Sequence, residues 1–451
     1  DVLVVYSAPF LDGLDHRAVV ARVNDAEQVK RGPGYWMLNT SLLHDEAYVS
    51  LMLTHLQDAI QEIREGCFSD ISAGWDALKA RVRAVSRRYA KQEVKRKELY
   101  RRDLREVIAG LETALPEDPA AAPILAQLRA AMAALERERL EGAVVRSRAR
   151  WREDGERPTS YFCRLEKARA AQNTFAAIRT PSGQRVTEPE RMLTVAADFY
   201  RQLYTPELPR DDMAIDLLLD SLDADHALPP ATADELEQEC SLEELHAALR
   251  RSASQKSPGE DGLPYEFYRV FWDQIGPLLL DVIKDSFARG QMPRSCRTGV
   301  IKLLFKKGDK EDLRNWRPLS MLNCDYKLAA SVLAARLGRV AGRLIYPEQT
   351  GFIRGRNIGE NILLMQSVLD LEHKTGCVLM LDQEKAYDRV SWDCIYSALR
   401  HYGFGSAFVK AVRALYEGAR SKVFINGFLS DAPFGRATPC RLCCIIWSTT
   451  Y

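Results

Sequence analysis

Leu379-Met380-Leu381-Asp382-Gln383-Glu384-Lys385-Ala386-Tyr387-Asp388 is the stretch from which the rest of the chain can be read. Val378 to Leu381 is an apolar run that reads as a buried strand, and it ends on a carboxylate. The polar and aromatic residues that follow suit a turn into a helix whose apolar face is Val390, Trp392, Ile395 and Leu399. An Asp at a strand end, next to a helix start, is a good place for a hard cation such as Mg²⁺, which prefers oxygen ligands. An ordinary strand end with a helix-capping Asp has the same local sequence, so the neighbours decide.

The chain has 451 residues, room for roughly two to four domains by the usual length prior. With 63 basic and 62 acidic residues, net charge selects no partner; the distribution of charge does. The ten cysteines (Cys67, Cys163, Cys240, Cys296, Cys324, Cys377, Cys394, Cys440, Cys443 and Cys444) are scattered. That usage fits reduced thiols inside a cell rather than a disulfide framework. Cys440-x-x-Cys443 is half of a zinc pattern, with no second Cys/His pair near it. No apolar run reaches the ~20 residues of a membrane span, and no signal peptide is visible, so an intracellular chain in nucleus or cytoplasm is expected, with no membrane partner. Asp1 leads directly into Val2-Leu3-Val4-Val5-Tyr6, as if the chain began inside a domain.

Residues 1–24 hold two strand candidates, Val2–Ser7 and Ala18–Val23, with Asp15-His16 between them. An Asp-His pair can orient a general base; a solvated loop fits the same residues. Arg31-Gly32-Pro33-Gly34-Tyr35-Trp36 is a turn-rich break, and Asn39-Thr40-Ser41 offers N-caps for a helix from about Leu42 to Glu62. A long helix over 75–112 follows. Between Lys79 and Arg105 it carries twelve basic residues, Arg87, Arg88, Lys95 and Arg96 among them, against three acids. A short Pro/Ala linker and a second helix from Ile124 to about Arg150 suggest an antiparallel hairpin. Charge on such a face serves solvation or, at this density, a phosphate backbone.

Phe175–Arg179 and Gln184–Thr187 around Pro181-Ser182-Gly183 read as a β-hairpin, and Pro189–Tyr204 as a helix. Residues 206–232 are acidic and proline-rich, and a linker with a domain boundary is expected there. Ser241-Leu242-Glu243-Glu244 opens a helix with a capping box. Lys256 to Gly262 is a compact turn. Strands at 299–305 and 314–320 flank the basic tip Lys306-Lys307-Gly308-Asp309-Lys310, a natural phosphate clamp or a solvated tip. Helices are expected at 264–289, 325–345, 357–373 and 406–417, with a strand at 421–426 turning at Asn426-Gly427.

Lys307-Gly308-Asp309, Asn315-Trp316-Arg317-Pro318-Leu319-Ser320, Asp325-Tyr326-Lys327, Pro347-Glu348-Gln349-Thr350-Gly351-Phe352 and Leu381 to Asp388 occur in this order. Order and spacing resemble the reverse transcriptase of LINE-type (non-LTR) retrotransposon polyproteins, in wording closest to Tx-type elements. Gly32 to Trp36, Asn39 to Leu43 and Thr159 to Lys167 fit the same polyprotein, and Asp15-His16 looks like the last motif of its endonuclease. The resemblance implies an α+β fold, with a helix-rich connecting region, then the fingers and part of the palm of a right-hand polymerase, thumb absent. It divides the chain into an endonuclease tail (1–24), a helical connecting region with a basic hairpin (25–205), a linker (206–232), and fingers plus partial palm (233–451).

The family joins a primer 3′-hydroxyl to the α-phosphate of a dNTP on an RNA template, with two Mg²⁺ ions about 3.5–4 Å apart. On that resemblance Asp382 is the metal-binding catalytic carboxylate, and the Gln383 carbonyl is a second ligand. Tyr387 is the ring that excludes a ribose 2′-hydroxyl, and Asp388 is structural. Lys306 or Lys307 contacts the γ-phosphate and Arg317 grips the triphosphate. Gln349, Gly351, Phe352 and Arg356 line the template path.

After Asn426-Gly427 the sequence departs from the family: of its loop pattern Gly435, Cys440 and Leu442 match, while Thr438 and Pro439 stand at its Gln-Gly. Pro439 cannot take φ > 0. The Asp-Asp palm pair does not follow, so the 451 residues are expected to lack polymerase and nuclease activity of their own. A non-catalytic nucleic-acid-binding remnant and a group II intron maturase-like protein are the alternatives.

Overall fold

The structure, a computed structural model, describes residues 2–7, 19–23, 29–114, 122–147, 173–205, 211–220, 227–351, 353, 355–371, 379–381 and 390–435. It is a mixed α+β structure, rich in helix, with small sheets.

Strands β1 (Val2–Ser7) and β2 (Val19–Val23) pair antiparallel, close to the expected bounds. Helix α1 (Glu46–Arg64) begins where Asp45 accepts hydrogen bonds from the backbone N–H groups of Ala47 and Tyr48, and buries Tyr48, Met52, Leu56, Ala59 and Ile60 along one face. Helix α2 (Ile71–Ala114) runs for 44 residues. Helix α3 (Ala122–Ser147) returns antiparallel to it, Arg129 pairing with Glu112 at 2.7 Å and Arg101 with Glu136 at 3.3 Å. The expected helical hairpin is therefore present.

Strands β3 (Ile178–Arg179) and β4 (Arg185–Val186) form the predicted short hairpin, with Gly183 at φ +84° supplying the turn. Helix α4 (Pro189–Tyr204) follows. The stretch expected as linker contains helix α5 (Asp212–Asp220), which buries Leu219, and the start of α6 (Pro230–Glu237). Helix α7 (Leu242–Arg251) carries the predicted reciprocal cap between Ser241 and Glu244. The 264–289 region divides at Phe271 into α8 (Tyr265–Val270) and α9 (Trp272–Arg289), and α9 stops at Gly290, φ +77°.

Strands β5 (Thr298–Phe305) and β6 (Trp316–Met321) pair antiparallel. Helices α10 (Cys324–Leu344), α11 (Ile358–Leu371), α12 (Trp392–His401) and α13 (Ser406–Tyr416) come next. Strands β7 (Arg420–Ile425) and β8 (Phe428–Leu429) close the larger sheet in the order β6-β5-β7-β8, with β5 and β7 parallel. The β7–β8 turn has positive φ at both Asn426 (51°) and Gly427 (88°), the geometry that matches strand twist in a two-residue hairpin.

Two cores draw on residues from both sides of 206–232. One joins α1 and the first half of α2 (Trp75, Leu78, Val82, Val85) to Leu228, Leu236 and helices α7 to α10, α12 and α13. The other packs Phe175, Ile178, Val186 and α4 onto Ile301, Leu303, Trp316, Val423 and Ile425 of the larger sheet. Segments on either side of residues 206–232 thus bury each other's apolar faces, at about 1.5–3 kcal/mol for each fully buried large side chain.

The opening stretch is corrected in part. Residues 379–381 are not a strand, and Leu379, Met380 and Leu381 are 77%, 88% and 85% exposed. An apolar run becomes a buried strand only when a partner strand accepts its hydrogen bonds. Beside β5, both edges are already taken, by β6 and β7. The helix expected after it forms, with Ile395 and Leu399 buried and Val390 and Trp392 packed on the core.

Candidate functional site

The β5–β6 hairpin presents two faces. Ile301, Leu303 and Phe305 pack towards the second core, as alternation along a strand requires. Lys302 and Leu304 fall on the other face, with Leu304 directly opposite Arg317. The Arg317 side chain is exposed and makes no hydrogen bond or ion pair among the described residues. The Lys306 and Lys307 side chains at the tip are likewise exposed and unpaired among those residues.

The tip beneath them is internally bonded. Lys306 N–H donates to the Asn315 carbonyl at 3.0 Å, the Asn315 amide donates to Asp309 O, and the Trp316 indole N–H donates to Lys310 O at 2.9 Å. Gly308, φ +91°, lies so close over Asn315 that a Cβ there would meet its amide at 2.8 Å. The β3–β4 hairpin braces the tip from outside. Glu311 accepts from Arg185 Nε at 2.7 Å and from Arg179 Nε at 3.1 Å, and Phe175 stacks on Trp316 with ring centroids 3.8 Å apart. The Asn426 side chain bonds both the N–H and the carbonyl of Phe175, tying the β7–β8 turn into the same assembly.

At the open end of the hairpin, where Cys296 precedes β5 and Asp325 follows β6, lies a buried charge cluster that sequence reasoning missed. Lys79 Nζ is 2.6 Å from Asp325 Oδ2 and 3.1 Å from Asp261 Oδ2. Trp75 Nε1 also donates to Asp325 at 2.8 Å, and Cys296 Sγ to the same oxygen at 3.2 Å. Burial alone would lower the Lys79 pKa; Asp325, Cys296 and Asp261 outweigh it and hold the ammonium well above its ordinary value. Burial raises Asp261 to about 6, against the pull of Lys79. Asp325, buried too, is held below the ordinary carboxylate range by Lys79 and the hydrogen bonds it accepts. The signal was present: Lys79 sits in register with Trp75, Leu78 and Val82, where an apolar residue belongs.

The Gly32 to Trp36 motif serves this assembly. Gly32 N–H donates to Asn426 O and Gly34 N–H to Gly427 O, and Tyr35 OH reaches Pro258 O. A Cβ on Gly32 would meet Gly427 O at 2.4 Å, and one on Gly262 would meet Trp36 O at 2.3 Å. The turn at 256–262 is thus locked between Trp36 and Asn323, whose amide bonds Asp261 N–H.

The remaining predicted site residues separate into three groups. Arg356 is a backbone clamp: its guanidinium donates to the carbonyls of Tyr346, Gln349, Gly342 and Ile345 and closes the end of α10. Gln349 donates to Gly351 O at 3.4 Å, and Gly351 is exposed. On α2, Arg87, Arg88 and Lys95 are exposed and unpaired among the described residues, whereas Arg96 pairs with Glu93 at 2.7 Å. Other cations of the basic run are engaged as well: Arg81 with Glu62, Arg83 over the Trp36 ring, Arg101 with Glu98 and Glu136, and Arg102 with Asp103. Asp382, Gln383, Tyr387, Phe352, Asp15 and His16 lie outside the described residues. Among the described residues no group of three or more His, Cys, Asp or Glu could hold a metal ion, and no helix is long and apolar enough to cross a membrane.

Residues 305–435 match the family described as reverse transcriptase (RNA-dependent DNA polymerase). The chain is 33% identical over 438 residues to the transposon TX1 uncharacterized 149 kDa protein of Xenopus laevis, covering 95% of this chain and 32% of that protein. It is 26% identical over 206 residues to the retrovirus-related Pol polyprotein from type-2 retrotransposable element R2DM of Drosophila melanogaster, covering 44% of this chain and 19% of that protein. It is 28% identical over 193 residues to the Pol polyprotein from type-1 retrotransposable element R2 of Popillia japonica, covering 42% and 24% respectively. The chain therefore spans about a third of the TX1 relative's length and less of the others.

Proposed function

We propose, on the premise that this chain carries a reverse transcriptase region of the LINE (non-LTR retrotransposon) type, that the β5–β6 hairpin is the fingers grip of an RNA-directed DNA polymerase. The observation that carries this reading is the tip: Lys306 and Lys307 stand exposed and unpaired among the described residues on an internally bonded turn. Lys306 continues the face on which Leu304 opposes Arg317, about 7 Å along the strand by the usual rise. The Lys306 ammonium and the Arg317 guanidinium fork on one face, with the Lys307 ammonium beside them at the tip, suit the β- and γ-phosphates of a dNTP, which a Lys meets as a point charge and an Arg as a two-pronged donor.

In this assignment the sheet with β7 and β8 belongs to the palm, and Gln349, Gly351 and Phe352 lie along the RNA template. Tyr387 discriminates the sugar, Gln383 lends its carbonyl, and Asp382 is the carboxylate offered to Mg²⁺. Bound there, Mg²⁺ would neutralise charge on the attacking and leaving oxygens. The protein's own part is to hold the triphosphate in line with the primer 3′-hydroxyl. Bracing of the tip by Glu311, Arg179 and Arg185 supports that positioning role.

Because the chain spans 32% of its TX1 relative, the test reads complex formation, not turnover. A labelled DNA primer annealed to RNA template is titrated with the chain in Mg²⁺, with and without the next complementary dNTP. The dNTP is expected to tighten the complex about tenfold, ~1.4 kcal/mol. The K306Q/K307Q/R317Q variant is expected to lose that increment. A variant that responds to dNTP as the unsubstituted chain does, or an unsubstituted chain with no dNTP response, overturns the fingers assignment.

A further inference from the structure

Helix α2 leaves the protein core part-way along its length, and its unpaired positive charge is concentrated where it leaves. Trp75, Leu78, Val82 and Val85 are buried, whereas no side chain from Arg87 to Asp103 is. Most cations of this helix already have carboxylate or ring partners. Arg87, Arg88, Lys91 and Lys95 have none among the described residues, and all four are exposed. At 3.6 residues per turn they share an arc of about 100° and span about 12 Å of helix. Glu93 falls on the opposite side; Glu98 falls within the arc, but three residues beyond Lys95, and is paired with Arg101.

A solvated face would intersperse signs, as the helix does beyond Lys95; this arc does not. It also holds no aromatic ring on which an unpaired base could stack. Tyr89 points elsewhere, its hydroxyl bonded to Asp45 at 2.7 Å. We infer that the stripe of Arg87, Arg88, Lys91 and Lys95 is a docking surface for the phosphate backbone of a base-paired nucleic acid. Duplex DNA carries one charge per ~1.7 Å of axis, so ~12 Å offers each of the four cations a phosphate. The inference rests on the reading that the chain handles nucleic acid, but on a different element from the fingers hairpin.

The test compares the unsubstituted chain with R87Q/R88Q/K91Q/K95Q, Gln being a good helix former at exposed positions. A DNA duplex, an RNA duplex of the same sequence and the single strands are each titrated across a salt series. Loss of four phosphate contacts is expected to flatten the slope of log K against log salt by about 3–4 with a duplex. The R96Q/R102Q control, which removes ion-paired arginines, is expected to change it by less than about 1. Whichever duplex shows the loss identifies the source of the backbone. An unchanged slope in both duplex arms, or a loss confined to single strands, overturns the stripe. If that happens while the dNTP response still depends on Lys306, Lys307 and Arg317, the stripe fails and the fingers reading stands.

Discussion

Lys79 Nζ lies 2.6 Å from Asp325 Oδ2, and the two residues are 246 positions apart in the chain. The pair fastens the basic helix to the start of α10, with side chains only 4% and 1% exposed. A buried charge persists when partners satisfy it, and losing one partner strands the others. Lys79→Met is therefore expected to destabilise the fold by about 3–5 kcal/mol, read from the urea midpoint. Lys79→Met/Asp325→Asn should lose less than Lys79→Met alone. Because Lys79 is inaccessible, any Lys79→Met protein that stays folded should bind duplex with an unchanged salt slope; a slope that falls by one contact would show that Lys79 reaches a phosphate after all.

Asp261 gives the cluster a pH signature. Its folded pKa is raised to about 6, above the carboxylate's ordinary 3.8. The folded state therefore binds the proton more tightly, and this group's stabilising contribution is present below about pH 4 and is lost as pH rises through about 6. Asp325 acts in the opposite sense: its pKa is lowered, so its contribution is present above 3.8 and lost as pH falls through its folded value. Asp261→Asn is expected to remove the decline between about pH 4 and 6 in a Tm series while leaving the acid limb. A decline of the same size in both proteins would assign it to another group.

Arg356 closes α10 by donating to four carbonyls. Arg356→Ala leaves those acceptors without their donor, at an expected cost of about 1–3 kcal/mol in chemical denaturation. Template affinity, compared at a temperature where both proteins are folded, should be unchanged. Weaker template binding with full stability would place Arg356 on the template path.

Gly32 and Gly427 approach each other so closely that neither has room for a side chain. Gly32→Ala would drive a Cβ against backbone at 2.4 Å, which cannot rotate away. Overpacking of this kind costs about 1–3 kcal/mol. Hydrogen exchange at Asn426 to Leu429 should quicken together with the loss of stability; protection equal to that of the unsubstituted chain would show the turn is held without this contact.

The sequence by itself determined what depends on near neighbours. The Ser241/Glu244 cap, the Asn426-Gly427 turn, the β5–β6 hairpin and the long helix at Lys79 to Arg105 were legible because propensity, capping and side-chain period act over a few residues. So was the basic turn at Lys306 to Lys310, whose geometry is local.

Tertiary structure decided what depends on distant partners. It placed Lys79 in a buried cluster and Arg356 on carbonyls, and separated Arg87, Arg88, Lys91 and Lys95, unpaired among the described residues, from cations of the same helix that face carboxylates. It also left Leu379 to Leu381 exposed where their composition called for a buried strand. A charge or an apolar run announces itself in sequence, but which group meets it across space is set by packing, and that meeting separates a ligand-binding cation from a structural one.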